Sequence, residues 1–95
     1  MNFEVKGEVF EWRGPAPFYF VAMSKEHSDE IEIYKKQLTY GWGVIPAEVK
    51  VGNVTSTTAL IPKDGVFLVP LKDLFRKPLG LGARSYVELV VTLRG

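Results

Sequence analysis

Side-chain type alone suggests chemistry at two places, the only histidine, His27, and a tryptophan held between glycines, Gly41-Trp42-Gly43. An imidazole titrates near neutral pH and acts as a general base when a second group orients it beside a substrate proton. On a helix its neighbours Glu26 and Ser28 project to other faces. Glu30, three residues on, reaches it as in ordinary helix-surface pairing, so His27 reads as a surface or half-buried residue. Glycines let a backbone approach a ligand closely and an indole offers a flat face, so Trp42 reads either as a ligand platform or as a plug of the core. Tyr40 would line the mouth of such a pocket. Thr55, Ser56, Thr57 and Thr58 make a hydroxyl-rich strand, with Thr55 and Thr57 on one face and Ser56 and Thr58 on the other. Threonine is a good strand former, and Thr57 is the candidate for a polar ligand if a face turns into a mouth. Lys63, Lys72, Arg76, Lys77 and Arg84 stand against Asp64 and Asp73 in residues 62–84. Lys63, Lys72 and Arg76 are the candidates to meet phosphate, although charge runs are usually solvated faces.

Other chemistry is missing from the pattern. There is no cysteine, so a disulfide scaffold, a thiolate metal site and a cysteine nucleophile are excluded. No Ser-His-Asp set and no metal-ligand spacing appears, so no catalytic residue, metal or cofactor is expected. Leu79-Gly80-Leu81-Gly82 lacks the Lys-Ser/Thr ending of a phosphate loop. The 95 residues carry 12 basic and 11 acidic side chains, with net −2 over residues 1–40 and +3 over 41–95. That is one small domain without the bias of a dedicated nucleic-acid binder. No apolar run approaches a membrane span and no signal peptide opens the chain, so a soluble, cytoplasmic protein without membrane contact is expected.

The elements that must position these residues are short. Phe3, Val5 and Val9 share one parity of residues 3–12 and Phe10 and Trp12 the other, which predicts one long strand that bends and changes face after Gly7. Residues 13–17 form a turn, and Phe18–Met23 reads as a strand buried on both faces or nearly so. A helix over 24–37 follows, capped by Ser24, with His27, Ile31, Tyr34 and Leu38 on one face and acids early, lysines late. Residues 45–51 alternate as a strand, Gly52-Asn53 is a two-residue turn, and 54–61 returns as a strand. Pro62–Gly65 is a turn, 66–70 a short buried strand, 71–77 a two-turn helix stopped by Pro78, and 85–93 a last strand with Val87, Leu89, Val91 and Leu93 on one face. Leu79 and Leu81 are expected inside. Six strands and two helices (about 24–37 and 71–77) without a βαβ rhythm predict a mainly β fold, a small closed or nearly closed, mostly antiparallel six-stranded barrel.

Taken in order, the aromatic strand FYFVAM, the helix with SKEHSDEI, GWG followed by Ile-Pro, the threonine-rich strand running into PKDG, and PLK with its arginine-bearing helix resemble the DUF1905 family. That family of small barrels is catalogued only as a domain of unknown function. The resemblance covers about residues 3–93; it implies a barrel and carries over no catalytic residues. Some members are fused to a domain linked to bacteriocin protection, which 95 residues leave no room for. A second likeness, in the C-terminal third, is to AbrB-like and double-psi barrels: Val69-Pro70, Arg76 and Leu79-Gly80-Leu81 fit, while the Gly-Asp turn falls on Arg84-Ser85. It implies DNA binding as a dimer, by fold analogy alone.

The function expected from the sequence is a non-catalytic binding or interaction domain of unknown ligand. The alternative is weak nucleic-acid binding through the basic 62–84 region. A homodimer is a further expectation, since small scaffolds gain core by pairing.

Overall fold

A computed structural model describes residues 2–13, 17–35, 45–72, 76–77 and 80–93. It contains seven strands and one helix: β1 (Asn2–Glu8), β2 (Phe10–Arg13), β3 (Pro17–Ala22), α1 (Lys25–Lys35), β4 (Ile45–Val51), β5 (Val54–Lys63), β6 (Val66–Pro70) and β7 (Tyr86–Leu93). All strand pairs are antiparallel, in the order β1-β7-β4-β5-β6-β3-β2. The fold is mainly β and antiparallel as expected, but the sheet is an open half-barrel of seven strands with one helix, where the sequence suggested a closed or nearly closed barrel of six strands with two helices.

The difference begins at Val9. The expected single strand is two, and they form opposite borders of the sheet. Fully buried Val9 separates them; its N–H donates to the Ser85 carbonyl and its carbonyl accepts from the Arg84 N–H, both at 2.7 Å. There is a bend but no change of face. Phe3, Val5 and Val9 point into the core, and Glu11 follows them, opposite the core-packed Tyr19. Phe10 and Trp12 lie on the outer face. Gly7 is in phase with the inner residues, and a Cβ there would stand 3.3 Å from Val21 Cγ1. The glycine therefore serves a close crossing of β1 over β3, not a bend.

Alternation puts Ile45, Ala47, Val49 and Val51 of β4 and Val87, Leu89, Val91 and Leu93 of β7 inside, as the sequence pattern requires. The Gly52-Asn53 turn forms, with Gly52 at φ 60°. The next turn is shorter than expected. Asp64 and Gly65 alone make it, at φ 53° and 85°, while Pro62 and Lys63 belong to β5. Such positive φ values at both turn residues match the twist of flanking strands. Pro62 turns its nitrogen away from β6, on the side where the β4 ladder among the described residues runs to the Ile45–Leu60 pair.

Among the described residues the helix spans Lys25–Lys35; 36–37 of the expected 24–37, and Leu38, lie outside them. Ser24 caps it, its hydroxyl accepting from the His27 N–H at 3.1 Å. Ile31 and Ser28 are its buried side chains, with Tyr34 packed against the core. The Ser28 hydroxyl accepts the N–H of Phe67 in β6 at 3.0 Å, which seats α1 on the sheet. Of the expected helix over 71–77, the described residues Leu71 and Lys72 are non-helical and Arg76 and Lys77 are helical, with the Arg76 N–H donating to the Lys72 carbonyl at 3.1 Å. Residues 73–75, 78 and Leu79 lie outside the described residues; Leu81 is half-buried.

Two substitutions test this packing. Gly7→Val drives two extra methyls toward Val21 and is expected to destabilise the domain by about 1–3 kcal/mol. Ser28→Ala leaves the buried Phe67 N–H without its acceptor and should cost a similar ~1–3 kcal/mol. Urea unfolding followed by circular dichroism measures both, and wild-type midpoints in both would refute the packing described.

Candidate functional site

The outer face of the sheet corner formed by β2, β3, β6 and the end of β5 is unusually apolar. Cross-strand register pairs Phe10 with Phe20 and Trp12 with Phe18. It then pairs Phe20 with Pro70, Ala22 with Leu68, and Leu68 with Ile61. All of these share the face opposite the core. Phe20 is buried there because Phe10, Trp12 and Phe18 surround it, with ring centroids at 5.9, 6.5 and 6.4 Å. The surrounding rings remain exposed, at 37% for Phe10, 45% for Trp12 and 57% for Phe18. Lys63 reaches across the face and places its ammonium 3.4 Å from the Trp12 ring centroid. A cation over an exposed ring contributes about 0.5–1 kcal/mol, enough to orient both side chains.

A different group occupies the inner face. Glu11 and Tyr19 are a cross-strand pair, and the Arg76 guanidinium lies 3.6 Å over the Tyr19 ring. The hydrogen bond of the Tyr19 hydroxyl to the Glu11 carboxylate is the main cause that raises the tyrosine pKa above 10.0, with desolvation and the Glu11 charge adding and Arg76 opposing. This arrangement ties the Arg76 turn to β3 and holds the phenol protonated.

The structure separates the residues singled out from the sequence. Tyr40 and Trp42, with the Gly41–Gly43 loop, lie outside the described residues. Thr57 is exposed on the outer face, and its carbonyl accepts from the Lys72 ammonium. Lys63 is on the aromatic corner and Arg76 on the inner face, so these members of the basic 62–84 region have separate partners. His27 meets the Phe3 ring, with centroids 5.0 Å apart and planes at 58°. That contact packs the imidazole. A shallow cleft of about 330 Å³ lies between α1 and the β5–β6 turn. Its Lys25, Asp29, Glu32, Lys63 and Asp64 are of mixed sign, and no group of metal-ligating side chains occurs among the described residues. Among those residues no helix is long and apolar enough to cross a membrane.

Sequence reasoning did not single out Phe10, Trp12 and Phe18. The usable signal was the parity of Phe10 and Trp12, out of phase with Phe3, Val5 and Val9, and the expected run buried on both faces is exposed at Phe18.

These features define an antiparallel β half-barrel with one docked helix and an aromatic outer corner. The chain belongs to the family described as a domain of unknown function, DUF1905, whose model matches residues 6–91. No curated protein and no solved structure matches the chain, so the AbrB-like likeness is not confirmed. The Arg84-Ser85 turn, where the chain departs from that pattern, is left-handed: Arg84 has φ 73°, and the Ser85 hydroxyl accepts the Gly82 N–H at 3.0 Å.

The Tyr19 titration yields a prediction. Because the folded-state pKa lies above the unfolded value, this group's contribution to stability is full below pH 10.0 and is lost as pH rises through the folded-state pKa. In ultraviolet pH titrations, the tyrosinate signal removed by Tyr19→Phe should appear above pH 10.0 and move to lower pH in Glu11→Ala. An unmoved midpoint would refute the Glu11 assignment.

Proposed function

We propose that this domain is a non-catalytic interaction module whose outer aromatic corner docks a protein segment that presents an apolar side chain next to a carboxylate. The observation that supports this reading is the exposure of Phe10, Trp12 and Phe18 on one face around a buried Phe20, with Lys63 extended over Trp12. Contiguous exposed apolar surface with a polar rim is the ordinary mark of an interaction site. Aromatic rings held by a sheet bind at low entropic cost, because little side-chain freedom is lost. Lys63 supplies the charge complementarity: a carboxylate draws its ammonium from the ring and leaves the indole face for an aliphatic group.

The same pairing of Lys63 with Trp12 favours a second reading, single-stranded nucleic acid. Bases stack on exposed rings while a lysine meets phosphate. It is the weaker of the two, because Lys72 and Arg76 are engaged away from this corner.

A random peptide library selected on the wild-type domain, with counter-selection on Trp12→Ser/Phe18→Ser, tests the first reading. The expected result is enrichment of peptides that combine aliphatic and acidic residues and bind at least about tenfold more weakly to the double variant. Equal binding to both proteins would overturn it. For the second reading, the anisotropy of a labelled oligothymidine should show binding at low salt, with log affinity falling linearly against log salt and lost in the same variant. No change at low salt would remove that reading.

A further inference from the structure

β5 is the longest strand, and its two sides are unequally occupied. β4 pairs with residues 54–60, whereas β6 pairs only with 61–63. Two-residue turns decide which backbone groups face which side. The residues that flank such a turn exchange both hydrogen bonds, so Val54 faces β4 and Lys63 faces β6. Alternation then turns Ser56, Thr58 and Leu60 toward β4. Thr55, Thr57 and Ala59 present their N–H and carbonyl groups to the other side, where no strand pairs with them among the described residues.

Exposed edges are usually protected by charge, proline, a bulge or shortness. The segment Val54–Leu60, VTSTTAL, has none of these within it. Its protection comes from outside: the Lys72 ammonium bonds to the Thr57 carbonyl in the middle of the edge. We propose that the edge of β5 at Thr55, Thr57 and Ala59 is a strand-pairing site for a second copy of this chain, latched by Lys72.

Self-pairing follows from the composition of the edge. An antiparallel two-fold arrangement centred on Thr57 sets Thr57 against Thr57 of the second copy and Thr55 against Ala59. No like charges meet anywhere along 54–60, and cross-strand threonine pairs are favourable. The half-buried inner side chains Val54, Ser56 and Thr58 gain cover from the added strand. The contact is isologous and closes on itself, giving a dimer without open-ended growth. Its one local cost is withdrawal of Lys72 from each Thr57 carbonyl, so the lysine sets how readily the edge opens. This site is independent of the aromatic corner.

Sedimentation equilibrium across a concentration series tests the proposal, with circular dichroism confirming native structure in each protein. Lys72→Met removes the latch and is expected to tighten dimerisation at least about tenfold over wild type. Adding Thr57→Pro, which deletes an N–H that the β4 ladder does not use, should return the protein to monomer. Amide exchange on the Lys72→Met dimer should slow at Thr55, Thr57 and Ala59. An unchanged association constant in Lys72→Met would overturn the proposal. So would a dimer that survives Thr57→Pro, or one abolished by Trp12→Ser/Phe18→Ser, which would assign the contact to the aromatic corner. A synthetic VTSTTAL peptide should bind folded Lys72→Met, and equal binding of a sequence-scrambled peptide would overturn selection for a second copy.

Discussion

One residue joins the two borders of this sheet. Val9 stands between the first and last strands of the spatial order, fully buried, with both backbone groups bonded to the Arg84–Ser85 turn. A seven-stranded sheet whose outermost strands are consecutive in the chain must curl, because a single residue spans the distance between its borders. The curl sets inside and outside for the whole molecule. It also explains the left-handed backbone at Arg84: the turn must deliver its N–H to Val9 while Ser85 leads directly into β7, and the Ser85 hydroxyl secures the loop through Gly82. An arginine at positive φ is uncommon and is held there by these bonds.

Curling has a consequence for the aromatics. The inner surface is filled chiefly by valine and other aliphatic side chains with Phe3 and Phe67, and at the Gly7 crossing a Cβ would press on Val21. Alternation from core-facing Val9 and Val21 puts Phe10, Trp12, Phe18 and Phe20 on the outer face. There they cover one another only partly, and Phe20 alone is enclosed. The same alternation puts Glu11 and Tyr19 on the inner face, where the Arg76 guanidinium completes a layered contact of carboxylate, phenol and cation.

Much of this was legible in the residues. The alternation in 45–51 and 85–93, the Gly52-Asn53 turn and the Ser24 cap all follow from local pattern, and the structure contains them. The family was legible too, from several spaced motifs in a fixed order. What local pattern does not encode is which strands become neighbours. Parity distinguished Phe10 and Trp12 from Phe3, Val5 and Val9, yet a change of face and an unchanged face with an apolar exterior give the same string of residues. The Asp64-Gly65 turn is two residues shorter than the pattern suggests because Pro62 usually marks a turn, whereas here it belongs to β5 with its nitrogen turned away from β6. The candidate cations could be named but not placed: proximity in sequence brought Lys63, Lys72 and Arg76 to three different surfaces.

The two surfaces argued to mediate contact are products of the same geometry. A closed cylinder satisfies every strand edge and offers neighbours only side chains. Here backbone groups of β5, the middle strand of the order, stay without a paired strand among the described residues where β6 leaves it, and a lysine from the segment after β6 bonds to the carbonyl at their centre. Toward the β2 border of the sheet, β2 and β3 carry aromatic rings on the outer face, with a second lysine laid over the largest of them. In both places one flexible cation shields a surface of low charge and can be drawn away by a better partner. On the proposed reading, a compact core, one edge covered by an ammonium group and one aromatic corner covered by another are the physical basis for reversible association.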